Sequence, residues 1–255
     1  MASAEDKSVA KQLNVTEKSI ANFIQQLESF LDSSITQVVK DIQSGNLDTI
    51  EVAARLNGLV GALNELGLQS VFNNIAEIYG GELAFIQESF EKSAGENVAL
   101  SAIDVDVAEQ LIAFNTEALF SRVETYVSDV KNVIFSQVVA GQRPDISGIK
   151  DTLTPRLAAN IETELNTSLA GFQRSVTLNK AADFGVELFA YVGGLIKSSR
   201  DFCIERDGGV FTLAEIKSWD NGQGLPADIY LGGYNCRHRL IAVSEVRARA
   251  LGYTG

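Results

Sequence analysis

Apolar residues recur at helical spacing through the first 190 positions of the chain. Ile20, Ile24, Leu27, Leu31, Ile35, Val38 and Ile42 are separated by steps of three or four, one stripe of a helix. Asn14 with Glu17 reads as a capping box at its start, and Gly45 as its stop. Asp48 with Glu51 opens a second helix with the stripe Leu56, Leu59, Val60, Leu63 and Leu66, ending at Gly67. A third is expected over 69–92, interrupted at Gly80-Gly81, with Phe72, Ile75, Ile78, Tyr79, Leu83, Ile86 and Phe90 on its apolar side. A fourth is expected over 106–140 through Leu111, Phe114, Val123, Val127, Val130, Ile134 and Val138, and "GQRPD" at 141–145 breaks it. Pro155 marks the first turn of a fifth helical region expected to reach Leu195.

Beyond residue 195 short apolar pieces replace the stripes. Gly208, Gly209, Gly222, Gly224, Gly232 and Gly233 crowd together, "TLAEIKSW" suits a short helix capped by Thr212 and Glu215, and "RLIAVSEV" suits a closing strand or helix. The expected class is mainly α: long antiparallel helices, bundle-like, over 1–190, followed by a small α+β module over 191–255. Stripes of this kind more often form a core than a contact between copies, and the length of the helices suits a homo-oligomer.

Charge is uneven. The chain carries 33 acidic and 21 basic residues. Only seven of the acidic residues, against eight basic ones, lie in 191–255. The first 190 positions are therefore strongly acidic, which argues against wrapping a phosphate backbone. No run of about 18 apolar residues is present, so no membrane span is expected. The first twenty residues lack the apolar stretch of a secretory signal, and folding in a cytosol is expected. Two cysteines are too few for a disulfide framework.

The unusual residues concentrate in two phrases. "YVGGLIKSSRDFCIERDGGVFTLAEIKSW" at 191–219 holds Cys203 and the single tryptophan, Trp219; "GGYNCRHR" at 232–239 holds Cys236 and the single histidine, His238. Tyr191-Val192-Gly193, then Arg200, Cys203, Asp207, Gly208 and Phe211, then Gly233, Asn235, Cys236, Arg237 and His238, resemble in order and spacing the C-terminal module of tailed-bacteriophage minor head proteins, the Mu-type head-morphogenesis family. Ser199 stands where that family tends to have threonine before the arginine. The resemblance covers about a fifth of the chain. It implies a non-enzymatic virion structural protein, made in the host cytoplasm, that works in particle assembly or genome delivery. The implied partners are portal, capsid or head–tail proteins.

Read as chemistry alone, the two phrases permit three states of Cys203 and Cys236: buried thiols packed as small hydrophobes, a disulfide, or a zinc site shared with His238. Those three residues fall short of the four ligands of a closed site, although Asp207 can supply an oxygen, and no cofactor is expected. Cys236 and His238 share a face if their segment is extended. Arg200 or Arg237 is expected to fork onto a carboxylate such as Asp201 or Asp207 and fix a loop. Phe202, Phe211, Trp219 and Tyr234 fill the module's core or an interface edge. Arg237, Arg239, Arg247 and Arg249 form a basic tail suited to an acidic protein partner or the chain's own acidic helices, ahead of DNA.

Two rival classes stand beside the virion reading. A zinc- or His/Cys-dependent nuclease or hydrolase would use Cys236 and His238, but one histidine cannot be both ligand and base. The chain carries no P-loop, Gly-x-Ser-x-Gly or dinucleotide fingerprint. The other rival is a helical adaptor outside a virion.

Overall fold

The structure, a computed structural model, describes residues 3–45, 48–95 and 102–255. The helices are α1 (Ala4–Ser44), α2 (Thr49–Asn57), α3 (Leu59–Glu65), α4 (Leu68–Phe72) and α5 (Asn74–Ser89), which continues into a π-turn at Phe90–Ala94, then α6 (Ala102–Val139) and, after a second π-turn at Ile149–Leu153, α7 (Thr154–Asp183). The rest is β1 (Leu188–Val192), α8 (Asp201–Ile204), β2 (Val210–Thr212), α9 (Leu213–Ser218), α10 (Ala227–Tyr230), β3 (Arg239–Ala242) and α11 (Glu245–Ala250). The class is mainly α, with a small α+β module near the C-terminus. Among the described residues no helix is long and apolar enough to cross a membrane.

Local chemistry accounts for several boundaries. Asp48 accepts from the Ile50 and Glu51 amides at 2.8 and 2.9 Å while Glu51 accepts from the Asp48 amide at 3.0 Å, the expected reciprocal cap. Thr212 and Glu215 cap α9 in the same way. The cap expected at Asn14 and Glu17 is not a helix start, because both lie inside α1. Ser3 and Asp6 form the cap instead, and Val9 and Leu13 extend the buried stripe back to it. Val39 rather than Val38 is the buried member farther along. Gly80 and Gly81 do not interrupt α5; the break lies about two turns earlier, at Asn73. An exposed glycine costs a helix only about 0.5–1 kcal/mol, which the burial of neighbouring Ile78 and Tyr79 outweighs. Phe114, expected on the buried stripe of α6, is 69% exposed.

The fifth helix stops at Asp183, short of the expected Leu195. Gly185 turns left-handed at φ 65°, its amide donates to the Ala182 carbonyl, and the Val186 amide donates to Ala181 at 2.8 Å. This is a Schellman cap, and it frees "LFAYV" to become β1. The sequence-based division at 190/191 falls inside that strand.

The chain forms two compact units. One comprises Ile20–Ala76 and Phe114–Glu162. In it Phe72 stacks with Phe23 edge-on at 5.7 Å and with Phe120 at 5.4 Å, and Lys150 pairs with Asp32 at 3.1 Å.

The other unit comprises Met1–Ser19, Glu77–Ala113 and Thr163–Gly255. Its sheet has the order β2-β1-β3, antiparallel throughout, with Phe189 opposite Phe211 and Tyr191 opposite Leu240. Alternation along β1 and β3 sends Ala190, Val192 and Ile241 to one face, where they meet Val9 and Leu13 of α1 and Phe85 of α5. Tyr191, opposite Leu240, points to the other face, the side of the cysteines.

Candidate functional site

The two cysteine phrases meet. Cys203, on the short helix α8, and Cys236, in the segment entering β3, place their sulphurs 3.8 Å apart, both as free and buried thiols. His238 is 3% exposed, and its Nδ1 lies 3.9 Å from the Cys236 sulphur. Its Nε2 lies 3.1 Å from Asp207 Oδ1. Ligand atoms of Cys203, Cys236 and His238 all lie within 4.8 Å of one another. The Tyr191 hydroxyl donates to Cys203 at 3.3 Å and sits 3.9 Å from Cys236. A cavity of about 250 Å³ opens beside the group, between Ser199, Arg200 and Asn235.

The surrounding backbone permits this closeness only because two residues lack a Cβ. A methyl on Gly232 would stand 2.4 Å from the Cys203 sulphur, and one on Gly193 would stand 2.6 Å from the His238 Cα. Gly208 turns left-handed at φ 80° and pairs its amide with the Tyr191 carbonyl at 2.8 Å, which fixes the turn that carries Asp207. Asp207 also accepts from the Gly194 amide at 3.3 Å. Gly233 and Asn235 are left-handed too, and Asn235 is tied to Thr167 and Thr163 of α7 at 3.1 and 3.2 Å.

Arg200 does fix a loop, but not through a carboxylate. Its guanidinium donates to the carbonyls of Gly232 and Tyr234, both at 2.9 Å. Those carbonyls turn toward it because the 232–235 loop has no strand partner to satisfy them.

Arg174 of α7 also belongs to the site. It is 1% exposed, and its guanidinium donates to the carbonyls of Ile229 (2.8 Å), Cys236 (2.8 Å) and His238 (2.6 and 3.2 Å). One rigid fork thus sets the course of the backbone that carries both Cys236 and His238. Nothing near position 174 in sequence signals this, because every acceptor is a main-chain oxygen at least 55 positions away.

Hydrogen bonding from Cys203 holds the Cys236 thiol well below its ordinary value against the cost of burial, helped by His238 and the Arg174 charge. The same hydrogen bond, together with burial, pushes Cys203 up. Burial and the neighbouring Cys236 raise Tyr191. Such a group can hold a soft metal, form a disulfide or present a thiolate.

The remaining aromatic residues divide. Trp219 meets Phe211 at 4.9 Å, Phe202 at 5.7 Å and Tyr191 at 6.0 Å, while Arg206 lies over the Phe202 and Trp219 rings. Tyr234 is 53% exposed and outside this cluster. The tail arginines face the chain's own carboxylates: Arg237 meets Glu17 at 2.6 Å, Arg239 meets buried Glu82 at 3.6 Å, Arg247 meets Glu5 at 2.5 Å, and the exposed Arg249 meets Glu245 at 3.7 Å. Of the two partners considered, the acidic helices of the same chain take the first three.

Neither family models, nor curated proteins, nor solved structures yield a match to this chain.

Proposed function

We propose that this chain is a non-enzymatic structural protein of a tailed-phage virion, a minor head or head–tail junction component that acts in particle assembly or genome delivery. One observation carries the reading: the residues of the phage-like phrases hold one another. Cys203 meets Cys236, Arg200 grips the loop at Gly232 and Tyr234, and Asp207 meets His238. Residues spent on mutual contact build a compact docking unit on a helical support. They leave few unengaged groups for turnover. The strongly acidic first 190 residues disfavour DNA and leave protein neighbours, such as portal or capsid subunits, as the partners that suit this chain.

The test is quantitative mass spectrometry of gradient-purified particles from a lysate that contains the protein. The expected result is the chain at a fixed, low copy number that survives salt washing. Its absence from particles, with the chain abundant in the soluble lysate, overturns the reading and leaves the free helical adaptor.

A further inference from the structure

We propose that Cys203, Cys236 and His238 form a zinc site with one open position facing the cavity beside Ser199 and Asn235. This does not rest on the virion reading.

Four features converge. The first is spacing. Zinc bonds of about 2.3 Å to sulphur and about 2.0 Å to nitrogen give tetrahedral edges of about 3.8 Å between sulphurs and about 3.5 Å from sulphur to nitrogen. The sulphurs here are 3.8 Å apart, and the Cys236 sulphur is 3.9 Å from Nδ1.

The second is the orientation of His238. Nδ1 is turned to the sulphurs, and Nε2 lies 3.1 Å from the Asp207 carboxylate, within ion-pair range but off hydrogen-bond alignment. A carboxylate behind the far ring nitrogen is the arrangement that fixes the tautomer and orientation of a zinc-bound histidine. It gives Asp207, read in the sequence as an oxygen ligand, a positioning role instead.

The third is charge. Arg174 is a buried cation whose hydrogen bonds go to carbonyl oxygens, so its charge needs an anion nearby. With the metal bound, the dication and the guanidinium are balanced by two thiolates and the Asp207 carboxylate. Binding releases the thiol protons to solvent, and no oxidant or reductant enters.

The fourth is support. Arg174 holds the main chain at both Cys236 and His238, Tyr191 donates a hydrogen bond to the Cys203 sulphur, and Gly232 leaves the sulphurs room. The cavity of about 250 Å³ supplies the entry path and space for a water at the fourth position.

The experiment uses the untagged full chain, purified with a thiol reductant and no chelator. Bound zinc is measured by elemental analysis. The apo chain is then titrated with Co²⁺ and read by absorption. Expected are close to one zinc per chain and, with cobalt, intense tetrahedral bands with sulphur-to-cobalt charge transfer. Asp207→Asn should weaken zinc binding by roughly 10- to 100-fold while the bands remain. Cys203→Ser and His238→Gln should each abolish the tetrahedral spectrum. The cobalt spectrum of the unaltered chain decides the matter even if those variants fail to fold. A reduced, folded chain with no zinc and only weak octahedral cobalt bands overturns the proposal. So does a chain that carries a Cys203–Cys236 disulfide and takes up no metal after reduction.

Discussion

Glu5 in the first turns of α1 and Arg247 in α11, 242 positions apart, make two hydrogen bonds of 2.7 and 2.5 Å. The carboxylate is buried and also accepts from Ser93 at 3.3 Å. The fork therefore ties α1, the π-turn after α5, and α11 together behind the sheet. Glu5→Gln keeps the volume and removes the charge, and should cost about 1–2 kcal/mol in urea unfolding.

The same pair sets an acid limit. Burial pushes the Glu5 carboxyl up, but hydrogen bonds from Arg247, its own backbone and Ser93, with the Arg247 charge, hold it below its ordinary 4.5. A carboxyl depressed in the folded state contributes stability that is complete above its unfolded-state value. That stability is lost as pH falls through the lower folded value. The native chain should lose stability between about pH 5 and pH 3, and the Glu5→Gln variant should lose less over that window. Parallel pH curves for the two proteins would remove Glu5 as the cause.

Gly80 and Gly81 lie exposed inside α5, with nothing within 4 Å of an added methyl. Gly80→Ala and Gly81→Ala should each stabilise by about 0.5–1 kcal/mol, since alanine loses less backbone entropy in a helix. Had the helix broken here, as the glycine pair suggests in sequence, the same substitutions would be neutral or harmful. Denaturant midpoints of the two variants separate the cases.

What the sequence revealed depended on how far apart the interacting atoms lie. The caps at Asp48–Glu51 and Thr212–Glu215 were legible because both partners sit three residues apart. Asn14 with Glu17 satisfies the same pattern inside a helix, where it means nothing. "LFAYV" suits helix and strand alike, and only the cap at Gly185 decides for strand. Cys203 and Cys236 are conspicuous in the sequence as its two cysteines, each beside a turn-rich segment, and a disulfide or a shared metal site requires them to meet. Arg174 and the Glu5–Arg247 fork are not conspicuous, because their partners are carbonyls or residues that only the fold brings near. Of the two arginines expected to grip a carboxylate, Arg200 takes the loop carbonyls of Gly232 and Tyr234 instead, while Arg237 meets Glu17.

Arg174 is the group on which the 229–238 backbone depends. Arg174→Met removes the fork and leaves the carbonyls of Ile229, Cys236 and His238 buried without donors. The loss should be at least about 3 kcal/mol. Arg174→Lys should recover little of it, because one ammonium cannot reproduce a planar fork aimed at three carbonyls. A lysine variant as stable as the native chain in thermal unfolding would show that charge alone, without the fork geometry, suffices.

Gly232 and Gly208 separate two reasons for glycine in the module. Gly208 has open space around it and a φ of 80°, so Gly208→Ala meets only the left-handed penalty, about 1–2 kcal/mol. Gly232 has no such φ; its added methyl would stand 2.4 Å from the Cys203 sulphur and 3.4 Å from that of Cys236. Neither sulphur can retreat cheaply, because each is buried against the other and against Tyr191. Gly232→Ala should therefore cost about 1–3 kcal/mol through overpacking and also move Cys203 away from Cys236. The readout that distinguishes the two is thiol accessibility. Under native conditions a thiol reagent should label Cys203 faster in the Gly232 variant than in the Gly208 variant at equal global stability. Equal labelling rates would mean that the sulphur pair does not depend on the missing Cβ at 232.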